Sequence, residues 1–236
     1  MSLPDLGPFT QKIFLTETTI DRMALAALSE TQLLPKIPGP VDIGQFCIRN
    51  WGWEVQYFDL GPDLMGQCAF SEAGVESIEI NSRIWEDKSR VGRVRLRSTT
   101  AHEIGHGLAH KELFALKIRQ ERLQARLIRD KSNNAEEKLI HACPGDQIVR
   151  PRKKEWWEIQ ANMLMRALLL PTPLLRQVVE AGRGRYSPES YSIPPLTFEV
   201  AQIFDVSFQM ARIAVEEMLT PIKKESKQMA SGMAKL

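Results

Sequence analysis

Cysteine is scarce in this chain, with only Cys47, Cys68 and Cys143 among 236 residues. Their number is odd, they are scattered, and none belongs to a Cys-x-x-Cys pair. That pattern favours reduced thiols and a cytoplasmic setting over a disulfide scaffold. Long apolar runs are missing too. The richest, residues 163–170, contains Arg166 and stops at Pro171, far short of the ~18 residues that argue for a membrane span. The N-terminus has no basic segment followed by an apolar core, so no signal peptide is expected. Charge of one sign is also lacking. A net charge of +2 gives no bulk argument for nucleic acid or a membrane surface as partner. What remains is 43% hydrophobic content, enough to bury a sizeable core as one large domain or one domain with appendages.

Histidine is rare as well, at four residues, which makes its placement informative. Two of the four stand in His102-Glu103-Ile104-Gly105-His106. On an α-helix, positions i and i+4 lie one above the other, so two imidazoles at this spacing can share one zinc ion at roughly 2.0–2.1 Å each. Glu103 sits ~100° around the helix from His102, within reach of a water at that ion without being a ligand. Such an ion lowers the water's pKa to about 7, and the carboxylate can take the proton and pass it to a leaving group. Ser98-Thr99-Thr100 supplies hydroxyls for an N-cap just upstream. Thr100 with Glu103 would then read as a capping box, the plainer account of that glutamate.

A catalytic site needs a third protein ligand and one open position. His110 lies one turn beyond His106, but ~9 Å along the axis from a metal held between His102 and His106, so it reads as a support for the ligands or a surface residue. His141, in His141-Ala142-Cys143-Pro144-Gly145, reads as part of a loop that can reach the site without any spacing that demands it. Glu158 opens a helical pattern in which Ala161, Met165 and Leu168 recur and Pro171 stops the helix. It enters on or beside the apolar face, where a carboxylate is costly unless a positive charge meets it, and a zinc ion would. The alternative is a first-turn glutamate favoured by the helix dipole. Glu155 is a nearby substitute, although Trp156-Trp157 suggests that this stretch packs elsewhere. A set of two His and one Glu also accepts other divalent ions.

The pattern of elements predicts an α+β fold. Residues 1–15 read as loose, Thr16–Glu30 as an amphipathic helix and Val41–Asn50 as a second. Glu54–Leu60, Met65–Phe70 and Ser77–Asn81 read as short strands of a small antiparallel sheet packed on the zinc-binding helix. Ser77–Asn81 is a candidate to accept an extended substrate as an added strand. The core is expected over residues 16–195, with a helical insertion at about 111–154. Within it Leu113, Leu116, Leu123 and Leu127 form a near-heptad stripe, read as an amphipathic helix on its own protein rather than a dimer zipper. Residues 133–154 read as loop, including a solvated basic turn at 150–154, and residues 221–236 as a disordered tail.

Residues 196–220 form a helix-turn-helix-like unit around Asp205-Val206-Ser207. A helix that reads DNA carries polar or basic residues at its start, whereas Phe208, Gln209 and Met210 stand here, with Arg212 the nearest cation. Packing, or holding a protein substrate, fits better than direct DNA binding.

At this point the chain resembles the ImmA/IrrE-type metallopeptidases. Arg97, Thr99, Ala101, His102, Glu103, His106 and His110 match the family's run R-x-T-x-A-H-E-x-x-H-x-x-x-H. Glu158, Ala161, Asn162, Leu168, Leu169 and Pro171 match its downstream E-x-x-A-N segment, with departures at Leu164, Met165 and Leu170. Pro40-Val41-Asp42-Ile43 with Gly52-Trp53-Glu54-Val55, and the run Val200–Ser207, are similar to two further family segments, so the resemblance spans about residues 18–218. It implies a zincin-like core in which zinc is held by His102, His106 and Glu158, with Glu103 as general base and then general acid. It also implies a regulatory endopeptidase, bacterial or phage, that cleaves a helix-turn-helix repressor and is nearly silent on generic proteins. His110, Tyr186 and Tyr191 are open candidates for stabilising the oxyanion. The competing expectation is a non-catalytic, zinc-containing regulator that acts by binding a repressor.

Overall fold

The computed structural model describes residues 9, 11–127, 139–144, 155–183 and 193–219. The expectations for residues 150–154 and 221–236 lie outside them. The fold is mixed α+β: a small sheet lies on one side of a long central helix, and further helices lie on the other.

Helix α1 (Glu17–Glu30) begins where expected, with Thr16 Oγ1 accepting from the Thr19 N–H at 3.2 Å. Its buried positions Ile20, Ala24, Ala27 and Leu28 form one stripe, as an amphipathic helix requires. A 3₁₀ turn (Ile43–Gln45) leads into the short α2 (Phe46–Trp51). Of the N-terminal residues read as loose, Phe9 is buried among Phe114, Trp156 and Trp157, and the Ile13 carbonyl accepts a hydrogen bond from Gln160.

The strands are β1 (Gln56–Phe58), β2 (Leu64–Ser71), β3 (Gly74–Asn81) and β4 (Leu139–Pro144), in the spatial order β1-β3-β2-β4. The sheet is mixed, not antiparallel throughout. β2 pairs antiparallel with both β3 and β4, whereas β1 pairs parallel with β3. The reason is topological. β2 spends one edge on its hairpin partner β3 and the other on β4, so β1 is left with the outer edge of β3. The chain reverses twice between them, and β1 therefore runs parallel to β3. This placement also narrows the substrate-strand expectation, because Glu79 and Ile80 already pair with β1 on one side and β2 on the other.

Helix α3 (Ser82–Glu86) precedes α4 (Arg90–Leu127), a single helix of 38 residues, ~57 Å long at 1.5 Å per residue. Ser89 caps it, its Oγ accepting from the Gly92 N–H at 3.1 Å. Ser98, Thr99 and Thr100 thus lie inside the helix rather than at its start, and Ser98 Oγ donates to the Val94 carbonyl one turn back. The capping-box account of Glu103 falls with that cap. The first part of the expected insertion is simply the continuation of α4. There Leu113, Phe114 and Ile118 are buried under the sheet while Leu116 and Leu123 are exposed, so the near-heptad leucine stripe is not the buried face. Residues 139–144, read as loop, are strand β4.

Helix α5 (Trp156–Leu169) crosses α4 at Gly105, where an added Cβ would lie 2.8 Å from the Ala161 carbonyl oxygen. Only a residue without Cβ permits that approach. Helices α6 (Thr172–Arg183) and α7 (Ile193–Ile203) follow, and α8 spans residues 208–219. The turn between α7 and α8 has Asp205 in the left-handed region (φ 51) and Ser207 Oγ capping α8 through the Met210 N–H. Arg97 ties this turn to the body: it donates to the carbonyls of Val41, Phe204 and Asp205 and lies 3.7 Å from the Asp205 carboxylate. No helix among the described residues is long and apolar enough to cross a membrane.

Candidate metal centre

His102 and His106 stand one turn apart on α4, and Glu158 enters from the first turn of α5. The close crossing at Gly105 brings the two helices together. His102 Nε2 and His106 Nε2 are 3.0 Å apart; Glu158 Oε2 is 3.2 Å from the first, and its Oε1 is 3.5 Å from the second. A tetrahedral ion with bonds of ~2.0–2.1 Å holds its ligand atoms roughly 3.3–3.4 Å apart, so this triangle fits a zinc-sized ion. All three side chains are fully buried, as is Glu103. Among the described residues these three are the group able to hold a metal ion. Glu155 is the N-cap residue of α5 and stands outside the triangle. Trp156 and Trp157, expected to pack elsewhere, are buried at the base of the site, Trp156 edge-on to His110. His141 lies in β4 with its backbone opposite Cys68.

The hydrogen bonds behind these side chains fix which ring nitrogen faces the triangle. His102 Nδ1 lies 3.0 Å from Asn162 Oδ1, a carbonyl acceptor, so Nδ1 donates there and Nε2 is the nitrogen turned to the triangle. His106 is oriented over a longer route. Gln160 Nε2 donates to the Ile13 carbonyl at 2.9 Å, which leaves Gln160 Oε1 as the acceptor for His110 Nε2–H at 3.1 Å. His110 Nδ1 must then accept, and it accepts from His106 Nδ1–H at 3.2 Å. The Nε2 of His106 therefore also faces the triangle, and both imidazoles are turned as metal binding needs. His110 is accordingly a support, and with both ring nitrogens engaged it is not available to an oxyanion. Tyr186 and Tyr191 lie outside the described residues.

Two members of this relay, Gln160 and Ile13, carried no signal in the sequence. Gln160 sits in an apolar helix as a buried amide, and the bond to residue 13 spans 147 positions.

Glu103 faces the sheet. A Cβ on Gly66 of β2 would lie 3.1 Å from Glu103 Oε1 and 2.9 Å from Thr99 Cγ2, so the strand passes directly over the carboxylate. Burial, and next the charge of Glu103, push the Cys68 thiol well above its usual range, and burial alone raises Cys47 to about 12. Both thiols are neutral and chemically quiet. A cleft of about 570 Å³ opens beside the centre, lined by Met65, Thr99, Asn162, Met163, Phe208 and Met210 among others. The start of α8 thus faces the body of its own protein.

No protein-family model matches the chain, and no curated protein matches it.

Proposed function

We propose that the protein is a zinc-dependent endopeptidase. The observation that carries this reading is the buried His102, His106, Glu158 triangle of metal-ligand dimensions, with the Glu103 carboxylate one residue along the helix. Zinc held there would supply a Lewis acid that polarises a carbonyl and brings the pKa of water to about 7. Glu103 has the role of proton carrier: its carboxylate takes a proton from the attacking water and returns it to the leaving amine. Asn162, and His110 with Gln160, keep the imidazoles aimed, so that the site is preorganised before substrate arrives. Gly66 holds a strand beside the carboxylate and leaves no bulk between them.

The resemblance to the ImmA/IrrE-type metallopeptidases supports a zincin-like core and a helix-turn-helix repressor as substrate, cleaved to release genes of a mobile element or a stress response. The α7–α8 pair, whose second helix starts in the cleft, fits holding a protein substrate better than reading DNA.

Metal content by mass spectrometry on wild type, His102→Ala and Glu158→Ala tests the centre: one zinc in wild type and background levels in both variants are expected. Incubation with the repressor encoded nearby tests the chemistry. Cleavage by wild type and none by a metal-retaining Glu103→Gln variant is the expected outcome. No metal in wild type, even after zinc is added, overturns the reading. The complete burial of Glu103 and all three ligands favours a second reading, a regulator whose zinc holds the fold and which acts by binding a repressor. An intact biological effect in Glu103→Gln would select it.

A further inference from the structure

Going around α4 at about 100° per residue, the angular order of its inner positions is Gly107, Glu103, Thr99, His106, His102, Gly105, each following the last by roughly 20–60°. The neighbours of these positions are known. A Cβ on Gly107 would lie 3.0 Å from Val75 of β3. Thr99 and Glu103 face Gly66 of β2, His106 and His102 face Glu158, and Gly105 meets Ala161 of α5. Around the helix one therefore passes β3, β2, the metal ligands and then α5. The sheet order continues β3, β2, β4. β4 thus lies on the metal side of β2, in the gap between that strand and α5, and it contacts α4.

We propose that the edge of β2 from Leu64 to Phe70 is the peptide-binding edge of the enzyme, and that the chain's own segment Leu139–Pro144 occupies it as a built-in pseudo-substrate. The inference rests on the peptidase reading and adds its regulation. An extended peptide recognised by strand addition takes its hydrogen bonds from a free edge, and the edge nearest the metal is this one. β4 runs antiparallel along it, pairing Gly66 with Cys143, Gln67 with Ala142 and Cys68 with His141. The pair beside Glu103 is thus Gly66 with Cys143, so the covering backbone passes over the place where a scissile bond would lie. The ligands are completely buried, as a covered site requires. β4 stops at Pro144, opposite Leu64 and next to a register shift at Met65. Proline has no N–H to continue the ladder. The apolar cleft beginning at Met65 continues the line of that edge. A six-residue edge strand is a segment that can open without unfolding the core. Access to the metal is then set by release of β4, which gives a reason for silence on generic proteins.

Two variants of the zinc-loaded full chain test this. Ala142→Pro with Cys143→Pro loosens the cover, since N–H groups of adjacent strand residues point to opposite edges and one of the two must face β2. Gln67→Cys with Ala142→Cys, in a Cys143→Ser background, locks it when oxidised. The probes are zinc capture by 4-(2-pyridylazo)resorcinol and cleavage of β-casein, an unfolded protein. The proline variant should yield zinc about tenfold faster than wild type, as expected for even one lost ladder bond, and should cleave β-casein in a Glu103-dependent way. The oxidised lock should slow zinc capture and block cleavage, with reductant restoring both. Equal zinc capture in wild type, the proline variant and both redox forms of the lock overturns the proposal, as does undiminished cleavage by the oxidised lock. Faster zinc capture by the proline variant, with no cleavage by any form, would leave the covering strand standing and sink the peptidase reading.

Discussion

Helix α4 carries two clusters of ionisable side chains little more than a turn apart, and they are built on opposite principles. In the Arg93, Arg97 and Asp205 cluster the positive charge comes from the chain itself. Arg93 Nε and a terminal nitrogen grip the Asp205 carboxylate at 2.9 and 3.1 Å, and the group stays partly exposed. Its work is to dock the α7–α8 turn. In the His102, His106 and Glu158 cluster everything is buried, and the imidazoles are oriented by partners on their far sides. The Glu158 carboxylate meets both Nε2 atoms there, and the three groups could hold a metal ion between them. A cluster that brings its own counter-charge secures the fold; one that arranges lone pairs around a point is made to bind something.

Four substitutions would break or sharpen that contrast. The largest effect is expected from Glu158→Ala, which should lower metal content from one ion to background and cost the thermal stability that metal confers, checked by mass spectrometry beside calorimetry with and without zinc. Gln160→Leu leaves every ligand in place but removes the acceptor that sets the His110 tautomer. A loss of roughly 10–100-fold in zinc affinity is expected by competition with a chelator, and an unchanged affinity would dismiss the relay.

Asp205→Asn keeps a residue that tolerates the left-handed backbone and removes only the charge. It should cost roughly 0.5–1 kcal/mol at neutral pH in denaturant titration, with metal content unchanged. The hydrogen bond from Arg93 holds the Asp205 carboxyl below its ordinary value of 3.8. Its contribution is therefore complete above the unfolded-state value and is lost as pH falls through the lower folded one. Wild type and variant should converge at the acid end. The smallest effect belongs to Thr99→Val, which replaces a buried hydroxyl without a hydrogen-bond partner by a methyl group. Stability within about 0.5 kcal/mol of wild type, or slightly above it, is the expected denaturation result.

The metal helix was the easiest part to read, because His102 and His106 need only a local period to be placed together. The boundaries of that helix were not legible. Ser98-Thr99-Thr100 carries a capping signature, yet Ser89 had already started the helix, and buried contacts of Val94 and Arg97 carry it through. The strand segments were recognisable, but the parallel pairing of β1 depends on which edges β2 and β3 have left. β4 was read as loop, since six residues with one proline carry little strand signal until an edge is offered to them.

By itself, then, the sequence determined the residues offered at the centre, two imidazoles one turn apart and a carboxylate beside them, and the lack of any apolar stretch of membrane length. Such features follow from spacing along one helix and from composition. Only the tertiary structure decided that Glu158 rather than Glu155 reaches the imidazoles, that His110 and Gln160 stand behind His106, and that residues 139–144 lie along the strand nearest the metal. Glu158, Gln160 and β4 meet partners about 50 to 80 residues away, and long-range pairing leaves no periodic trace in a chain because it is chosen by which surfaces remain to be covered.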